Sequence, residues 1–369
     1  MKIVIIGAYP NSIIGFRGPL ISTFVRAGHD VTVMTAHASA DVVADVTALG
    51  ATFQPYPVER NGLNPIADIR TLLAIKKTLQ VLKPDQVLAY TIKPIIWGGI
   101  AARIVGFKNF HAMITGLGYA FEKGSFARNL VNFIVKHLYK CALAKTKSVI
   151  FQNQDNLKLF VELGLVEAEK CYRVFGSGVD IDEYQQQPLP RQATTFLLIA
   201  RLLGDKGIRE FASAAKIVKQ RYPEAKFQLL GPYDSSPDKI SMAEVSQWQT
   251  AGHIEYLGET DNVKASLNAC HIYTLPSYHE GLPRTVLEAM SVGRPILTTD
   301  AAGCRDTVVN GENGWLVPTR NVDALVSRMI WFIEHPEQWQ PMANKSRKMV
   351  EDNFNVKQVN EAIGNIIGL

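Results

Sequence analysis

Short apolar runs alternate along this chain with longer segments whose apolar residues fall at helical spacing. Lys2–Gly7 reads as a buried strand, and Val31–Thr35, Ala51–Val58, Gln86–Tyr90, Asn109–Thr115 and Ser148–Asn153 read as further strands of one sheet. Between the first two, Ala8–Gly18 has the polar, glycine-bearing look of a loop, with Pro19 opening a helix that runs to about Ala27. Asn64–Leu82 and Ser125–Lys145 are predicted helices. In the latter Arg128, Asn132, Lys136 and Lys140 recur every fourth residue, with Phe126, Leu130, Phe133, Ile134, Leu138 and Ala142 filling the rest. Such a helix either packs a core with a basic outer face or rests on a membrane surface. Asp182–Thr194, polar and carrying Pro188 and Pro190, is the best linker candidate.

A second series follows. Strands are predicted at Thr195–Arg201, Phe227–Gly231, Ile254–Gly258, His271–Leu275 and Pro295–Asp300, and helices at Ile208–Gln220, Thr285–Met290, Asn321–His335, Trp339–Phe354 and Val356–Ile367. Strand–helix alternation of this kind makes parallel sheets covered by helices. At 369 residues, two domains are expected.

Composition narrows the classes. Apolar residues make up 47% of the chain, enough for two cores, yet no apolar run is long enough to span a bilayer. The Ile3–Ile6 run is too short for a signal peptide. Cys141, Cys171, Cys270 and Cys304 are widely spaced with no CxxC, which suits a reduced cytosolic protein without a zinc site. Net charge is +5, and residues 1–183 carry it, with 20 Lys+Arg against 14 Asp+Glu. That bias fits an anionic partner such as a membrane surface or a diphosphate. No nucleic-acid motif accompanies it.

The chemistry gathers in residues 271–290, HIYTLPSYHEGLPRTVLEAM. A strand leads through a loop to a helix that Pro283 is placed to open, so unpaired N–H groups and the positive end of a helix dipole face that loop. Glu280 lies in the loop and Glu288 in the second helical turn. Hydroxyl-accepting carboxylates beside an anion site suit a sugar nucleotide. A second basic loop, Leu202–Gly207, opens the helix at Ile208, and Arg201 and Lys206 are placed to converge on one diphosphate. Gly7, Gly15 and Gly18 do not have the G-x-G-x-x-G spacing, and no acidic residue ends the next strand, which disfavours hydride transfer on NAD. Lys93 follows the strand ending at Tyr90, where parallel sheets bind ligands, and is a candidate for an anionic acceptor.

HEGLPRTVLEAMSVGRPIL resembles the E-x7-E signature of retaining glycosyltransferases of the GT-B fold, especially glycosyltransferase family 4, and GENGWLVP at 311–318 matches that family too. The resemblance implies two Rossmann-like α/β domains facing each other across a cleft. Residues 1–183, with a helix at about 355–369 crossing back, would form the acceptor side, and residues 184–354 the donor domain. It implies Arg201 and Lys206 as donor-phosphate ligands, with the tip at Gly281, Leu282 and Pro283 holding the same diphosphate. Glu280 would orient the transferred sugar and Glu288 would bind the ribose hydroxyls. Gly15 and Gly18 would let backbone approach the donor phosphates, with Arg17 reaching donor or acceptor. The turn at 231–233 and Tyr256–Thr260 would frame the base.

Two departures stand out. Thr115-Gly116 stands where many members carry His-Gly, so no catalytic histidine is assigned, and His111, inside the strand, reads as structural. In YRVFGSGVD, Ser177 replaces the usual Asn. The ITGLGYAF variant at 114–121 resembles the subgroup that adds N-acetylgalactosamine or related sugars to polyprenyl-diphosphate-linked acceptors, with Lys93, Thr115 and Gly116 on the acceptor side. The resemblance implies a UDP-sugar donor, no cofactor, and no metal, since there is no DxD-like pair. It also implies a cytoplasmic protein in peripheral contact with an anionic membrane at its inner face. A soluble acceptor, a sugar-nucleotide epimerase and a silent sugar-nucleotide-binding subunit remain alternatives.

Overall fold

The computed structural model describes residues 1–59, 64–117, 121, 126–236, 238–260 and 262–369, without the side chains of 126–128. The chain divides into two compact units. The first is Met1–Ser177 together with Lys357–Leu369, and the second is Gly178–Val356.

In the first unit β1 (Lys2–Ile6), α1 (Asn11–Arg26), β2 (Asp30–Thr35), α2 (Ala40–Ala48), β3 (Thr52–Pro55), α3 (Pro65–Leu82), β4 (Gln86–Tyr90), α4 (Ile92–Val105), β5 (Phe110–Ile114), α5 (Phe126–Leu143), β6 (Ser148–Phe151), α6 (Gln154–Glu162) and β7 (Cys171–Arg173) follow one another. The strands form one parallel sheet in the order β3-β2-β1-β4-β5-β6-β7. Strand alternation splits its core in two. Ile3 and Ile5 face α1, while Val4 and Ile6 face the layer made by α3, α4 and α5. That layer is tight: a Cβ on Gly99 of α4 would meet the Ala142 carbonyl of α5 at 2.6 Å, so only glycine lets these helices approach so closely.

In the second unit β8 (Thr195–Ile199), α7 (Ile208–Arg221), β9 (Lys226–Leu230), α8 (Met242–Thr250), β10 (Glu255–Tyr256), α9 (Val263–Ala269), β11 (Ile272–Leu275), α10 (Arg284–Ser291), β12 (Ile296–Thr299), β13 (Gly314–Val317), α11 (Val322–Glu334) and α12 (Trp339–Met349) build a second parallel sheet, ordered β10-β9-β8-β11-β12-β13. The last helix, α13 (Val356–Ile367), returns to the first unit, where Val359, Ile363 and Ile367 join the core around Ile3 and Ile5. Both sheets have a switch point where the strand order turns, between β1 and β4 and between β8 and β11. Ligands of doubly wound sheets bind at the carboxyl ends there.

Two sequence expectations are corrected. The loop expected over Ala8–Gly18 is instead mostly the first half of α1, and Pro19 lies inside that helix rather than opening it. Ile13, Arg17, Leu20, Ile21 and Phe24 form a buried stripe that Gly15, Gly18 and Pro19 disguise. Gly15 and Pro19 are exposed, so the carbonyl that Pro19 leaves without a helical donor faces water. The segment proposed as a linker, Asp182–Thr194, belongs to the second unit. The buried Arg294 guanidinium donates to the carbonyls of Gln187, Pro188, Leu267 and Asn268, and His271 Nε2 lies 3.0 Å from the Pro190 carbonyl. The chain passes between units at Ser177–Gly178 and Val356–Lys357, and beside these crossings Val179 N donates to the Phe354 carbonyl and Val356 N to the Val179 carbonyl.

Candidate active site

In the second unit, the loops after β8 and β11 leave the sheet at its switch point and are braced against each other. The β8 loop carries Arg201, a single turn at Gly204–Lys206, and then Gly207, whose φ of 69° breaks direction into α7. A Cβ on Gly207 would meet the Pro276 carbonyl at 2.1 Å, so the two loops touch backbone to backbone. Tyr278 N donates to the Asp205 carbonyl at 2.8 Å, and Tyr278 Oη donates to Glu210 Oε1 at 2.6 Å. Behind the β11 loop, Glu280 N donates to Ala302 O, and Gly303 has no room for a Cβ against the carbonyls of Glu280 and Gly281.

This bracing brings Lys206 and Glu280 together. Lys206 Nζ donates to Glu280 Oε1 at 2.7 Å, and Ser277 Oγ donates to the same oxygen at 2.8 Å. Both charged side chains are largely buried, at 14% and 17% exposed. Burial alone would pull the Lys206 pKa down, but Glu280 and Asp205 oppose it and hold the ammonium above the ordinary lysine value. Arg201 lies on the same loop, tethered by Asp234 Oδ2 at 2.6 Å with 45% of its side chain open to solvent. Burial pushes Asp234 up, but hydrogen bonds from Ser236 and the Arg201 guanidinium outweigh it, so the carboxyl stays ionised as an anchor.

Gly281, Leu282 and Pro283 follow directly. Pro283 is the cap of α10, one residue before the helix proper, so the helix tip stands where it was expected. Glu288 is buried at 5% exposed and takes Arg284 Nε at 2.8 Å. Burial raises its pKa, with Arg284 and Tyr184 opposing. Tyr233 and Tyr256 meet edge to face at 5.5 Å, and Tyr256 Oη donates to the Gly231 carbonyl at 2.9 Å. These aromatic residues adjoin the Arg201–Asp234 tether, on the two turns expected to frame a base.

In the first unit the expected residues fall otherwise. Gly15 and Gly18 are helical, so their backbone is committed to α1 and does not form a phosphate-cradling loop. Arg17 is buried at 3% and stands 5.0 Å over the Tyr90 ring. Lys93 is in the first turn of α4, paired with Asp68 at 2.9 Å, each side chain 12% exposed. Thr115 and Gly116 follow β5, the strand beside β4, and so share a sheet end with Lys93. Gly118 and Tyr119 lie outside the described residues. His111 sits inside β5, bonded to Ser148 at 2.7 Å and Gln86 at 3.0 Å, and burial lowers its pKa to about 4, aided by Lys147. It is structural, as expected.

Several participants escaped the sequence reading. Thr91 links β4 to α4 at φ 67°, ψ 164°, a strained conformation for a side-chain-bearing residue and one that concentrates at functional sites. Asp68, in the first turn of α3, and Asp234, in the loop after β9, are partners supplied from other elements. Only Asp234 left a local mark, the Asp-Ser-Ser run in which Ser236 N donates back to its carboxylate.

The residues of the second unit match a family model described as glycosyl transferases group 1, over residues 180–349. Residues 14–153 match one described as glycosyl transferase 4-like. The chain belongs to this family of glycosyltransferases. The enzyme is 27% identical over 347 residues to a Campylobacter jejuni protein, N,N'-diacetylbacillosaminyl-diphospho-undecaprenol alpha-1,3-N-acetylgalactosaminyltransferase, covering 90% of each chain. It is 25% identical over 313 residues to an Escherichia coli UDP-Gal:alpha-D-GlcNAc-diphosphoundecaprenol alpha-1,3-galactosyltransferase, covering 81% of this chain and 79% of the other. Among solved structures, Anabaena HepE in complex with UDP-glucose superposes with a TM-score of 0.79 at 19% identity, covering 99% of this chain and 98% of that one. The glycosyltransferase therefore has the GT-B fold that its E-x7-E segment implied.

Proposed function

We propose that this glycosyltransferase moves a hexose or N-acetylhexosamine from a UDP-sugar to a polyprenyl-diphosphate-linked saccharide, with retention of configuration. The carrying observation is the buried Lys206–Glu280 pair, with Arg201 on the same loop and the tip of α10 beside it. As the glycosidic bond breaks, negative charge grows on the departing diphosphate. Lys206, Arg201 and the N–H groups of Leu282 and Arg284, either side of Pro283, are fixed positive partners for that charge and need little reorganisation. The diphosphate competes with Glu280 for Lys206, so donor entry frees the Glu280 carboxylate for the hydroxyls of the transferred sugar. Glu288, held by Arg284, would receive the ribose hydroxyls. The cationic pair takes the part a divalent ion would otherwise play, so neither metal nor cofactor is required.

The polyprenyl-diphosphate acceptor is supported by the activities for which the Campylobacter and Escherichia relatives are named. Lys93, Thr115 and Gly116 at the ends of β4 and β5 are the acceptor-side candidates, with Lys93 released from Asp68 as it meets the acceptor anion. Such an acceptor lies in a bilayer, so the protein would work in peripheral contact with the inner face of the cytoplasmic membrane. Among the described residues no helix is long and apolar enough to cross a membrane.

The decisive assay supplies labelled nucleotide sugars and bacterial lipid extract to the wild type and to Glu280→Ala. Lipid-phase label from one UDP-sugar, absent with Glu280→Ala while UDP still raises its melting temperature, is the expected outcome. Transfer that survives Glu280→Ala refutes the role given to Glu280. Label confined to a water-soluble product moves the acceptor out of the membrane.

A further inference from the structure

The helices α3, α4 and α5 lie side by side over one face of the first sheet, and their outer surface has an unusual composition. Together they contain a single acidic residue, Asp68, which is buried and neutralised by Lys93. Arg70 and Lys77 on α3, Arg103 on α4 and Lys140 on α5 are exposed on this layer. Among them stand large apolar side chains in solvent: Ile66, Ile69 and Leu73 on α3, and Leu130, Phe133 and Ile134 on α5, with Ile66 65% and Phe133 59% exposed. The helices on the opposite face of the same sheet, α1, α2 and α13, expose one large apolar side chain among the described residues, Phe16, and carry Asp41, Asp45 and Glu361.

Scattered exposed apolar residues mean little, but two such rows on the helices either side of α4, with Arg70 among them and Lys77, Arg103 and Lys140 further along the same three helices, form a surface of one chemical kind. The apolar rows also occupy the amino-terminal halves of α3 and α5. In a parallel α/β unit these halves lie at the carboxyl end of the strands, the end that carries Lys93 and Thr115.

From this the structure assigns the α3–α4–α5 face as the docking surface for an anionic lipid bilayer. Ile66, Ile69, Leu73, Leu130, Phe133 and Ile134 enter the headgroup–acyl boundary, while Arg70, Lys77, Arg103 and Lys140 meet lipid phosphates. A second copy of the chain is a poor occupant, because a two-fold contact through this face would set like charges against one another. The assignment deepens the membrane contact proposed above by naming its surface. It is tested without any acceptor, so its failure is separable from failure of the transfer reading.

The test is sedimentation of the full-length protein with vesicles of phosphatidylcholine alone or mixed with phosphatidylglycerol. Binding to the anionic vesicles, weakened by salt, is expected. It should fall at least about tenfold in Leu130→Glu/Phe133→Glu and in Arg70→Glu/Lys77→Glu, and stay unchanged in Met242→Glu, an exposed apolar position on α8. Lys77→Ala/Lys140→Ala, two exposed side chains, guards against misfolding of the reversal variants and should also weaken binding. Equal binding to neutral vesicles, binding untouched by these variants, or no binding at all overturns the assignment. A dimer that Leu130→Glu/Phe133→Glu dissolves, in place of vesicle binding, would give the face to a second copy.

Discussion

Lys206 and Glu280 each satisfy the other's charge in a pocket that neither could occupy alone. Lys206→Ala should lower kcat about 100-fold, by analogy with other fixed donors aimed at developing negative charge, and leave Ser277 Oγ still donating to Glu280. Steady-state kinetics in the presence of EDTA checks two points together: the drop should appear in kcat, and the wild type should keep its rate without divalent ions. Glu288 gives a prediction of opposite sign. Its pKa is raised in the fold, so its contribution to stability is full below the ordinary glutamate value of 4.5 and is lost as pH rises through the elevated folded value. Glu288→Gln should therefore melt no lower than wild type at pH 8, with an advantage that shrinks on acidification, while its donor binding weakens. A large fall in melting temperature at pH 8 would show the carboxylate to be structural. At this scale the sequence was legible where residues act within one motif: Glu280, Glu288, Arg201 and Lys206 were picked out by their spacing together with the family resemblance of the segments that carry them. Asp234 and Asp68 were not, because Asp234 meets Arg201 only once β8 and β9 pair, and Asp68 meets Lys93 only once α3 packs on α4.

Elements were legible where one face is buried and the pattern is uninterrupted, as in β1 and β8. α1 failed that test because two glycines and a proline sit on or beside its buried stripe. Packing along Ile13, Leu20, Ile21 and Phe24 outweighs their poor helix propensity. The supposed linker failed for a related reason. Pro188 and Pro190 do mark irregular backbone, but Arg294, fully buried, supplies the donors its carbonyls need. Arg294→Met should strand those carbonyls and cost about 3 kcal/mol or more, read from urea unfolding. Strands β4, β5 and β6 are cross-linked by His111 between Gln86 and Ser148. Because burial holds its pKa at about 4, its contribution is complete above the unfolded value near 6.5 and is lost as pH falls toward 4, worth roughly 3 kcal/mol. Urea melts between pH 7 and 4 should show this slope in the wild type and a shallower one in His111→Gln.

At the scale of the molecule, the excess of positive charge in residues 1–183 was visible in the sequence, but its concentration on one helical layer was not. That required knowing that α3, α4 and α5 are neighbours and that the lone acid among them is buried. The return of α13 to the first unit makes that unit discontinuous in sequence. A chain ending at Val356 should keep the second unit folded, reported by Trp248, Trp315, Trp331 and Trp339, and destabilise the first, reported by Trp97 alone. Tryptophan emission during urea unfolding separates the two.

The same discontinuity orders events during synthesis. Every residue of 178–356 is made before Val359, Ile363 and Ile367, the side chains for which the surface of Ile3, Ile5 and Phe24 waits. The half that begins first is thus the half that finishes last, and the usual amino-terminal-first order of domain folding is reversed. Until those three side chains are available, that incomplete core is a natural client for a chaperone.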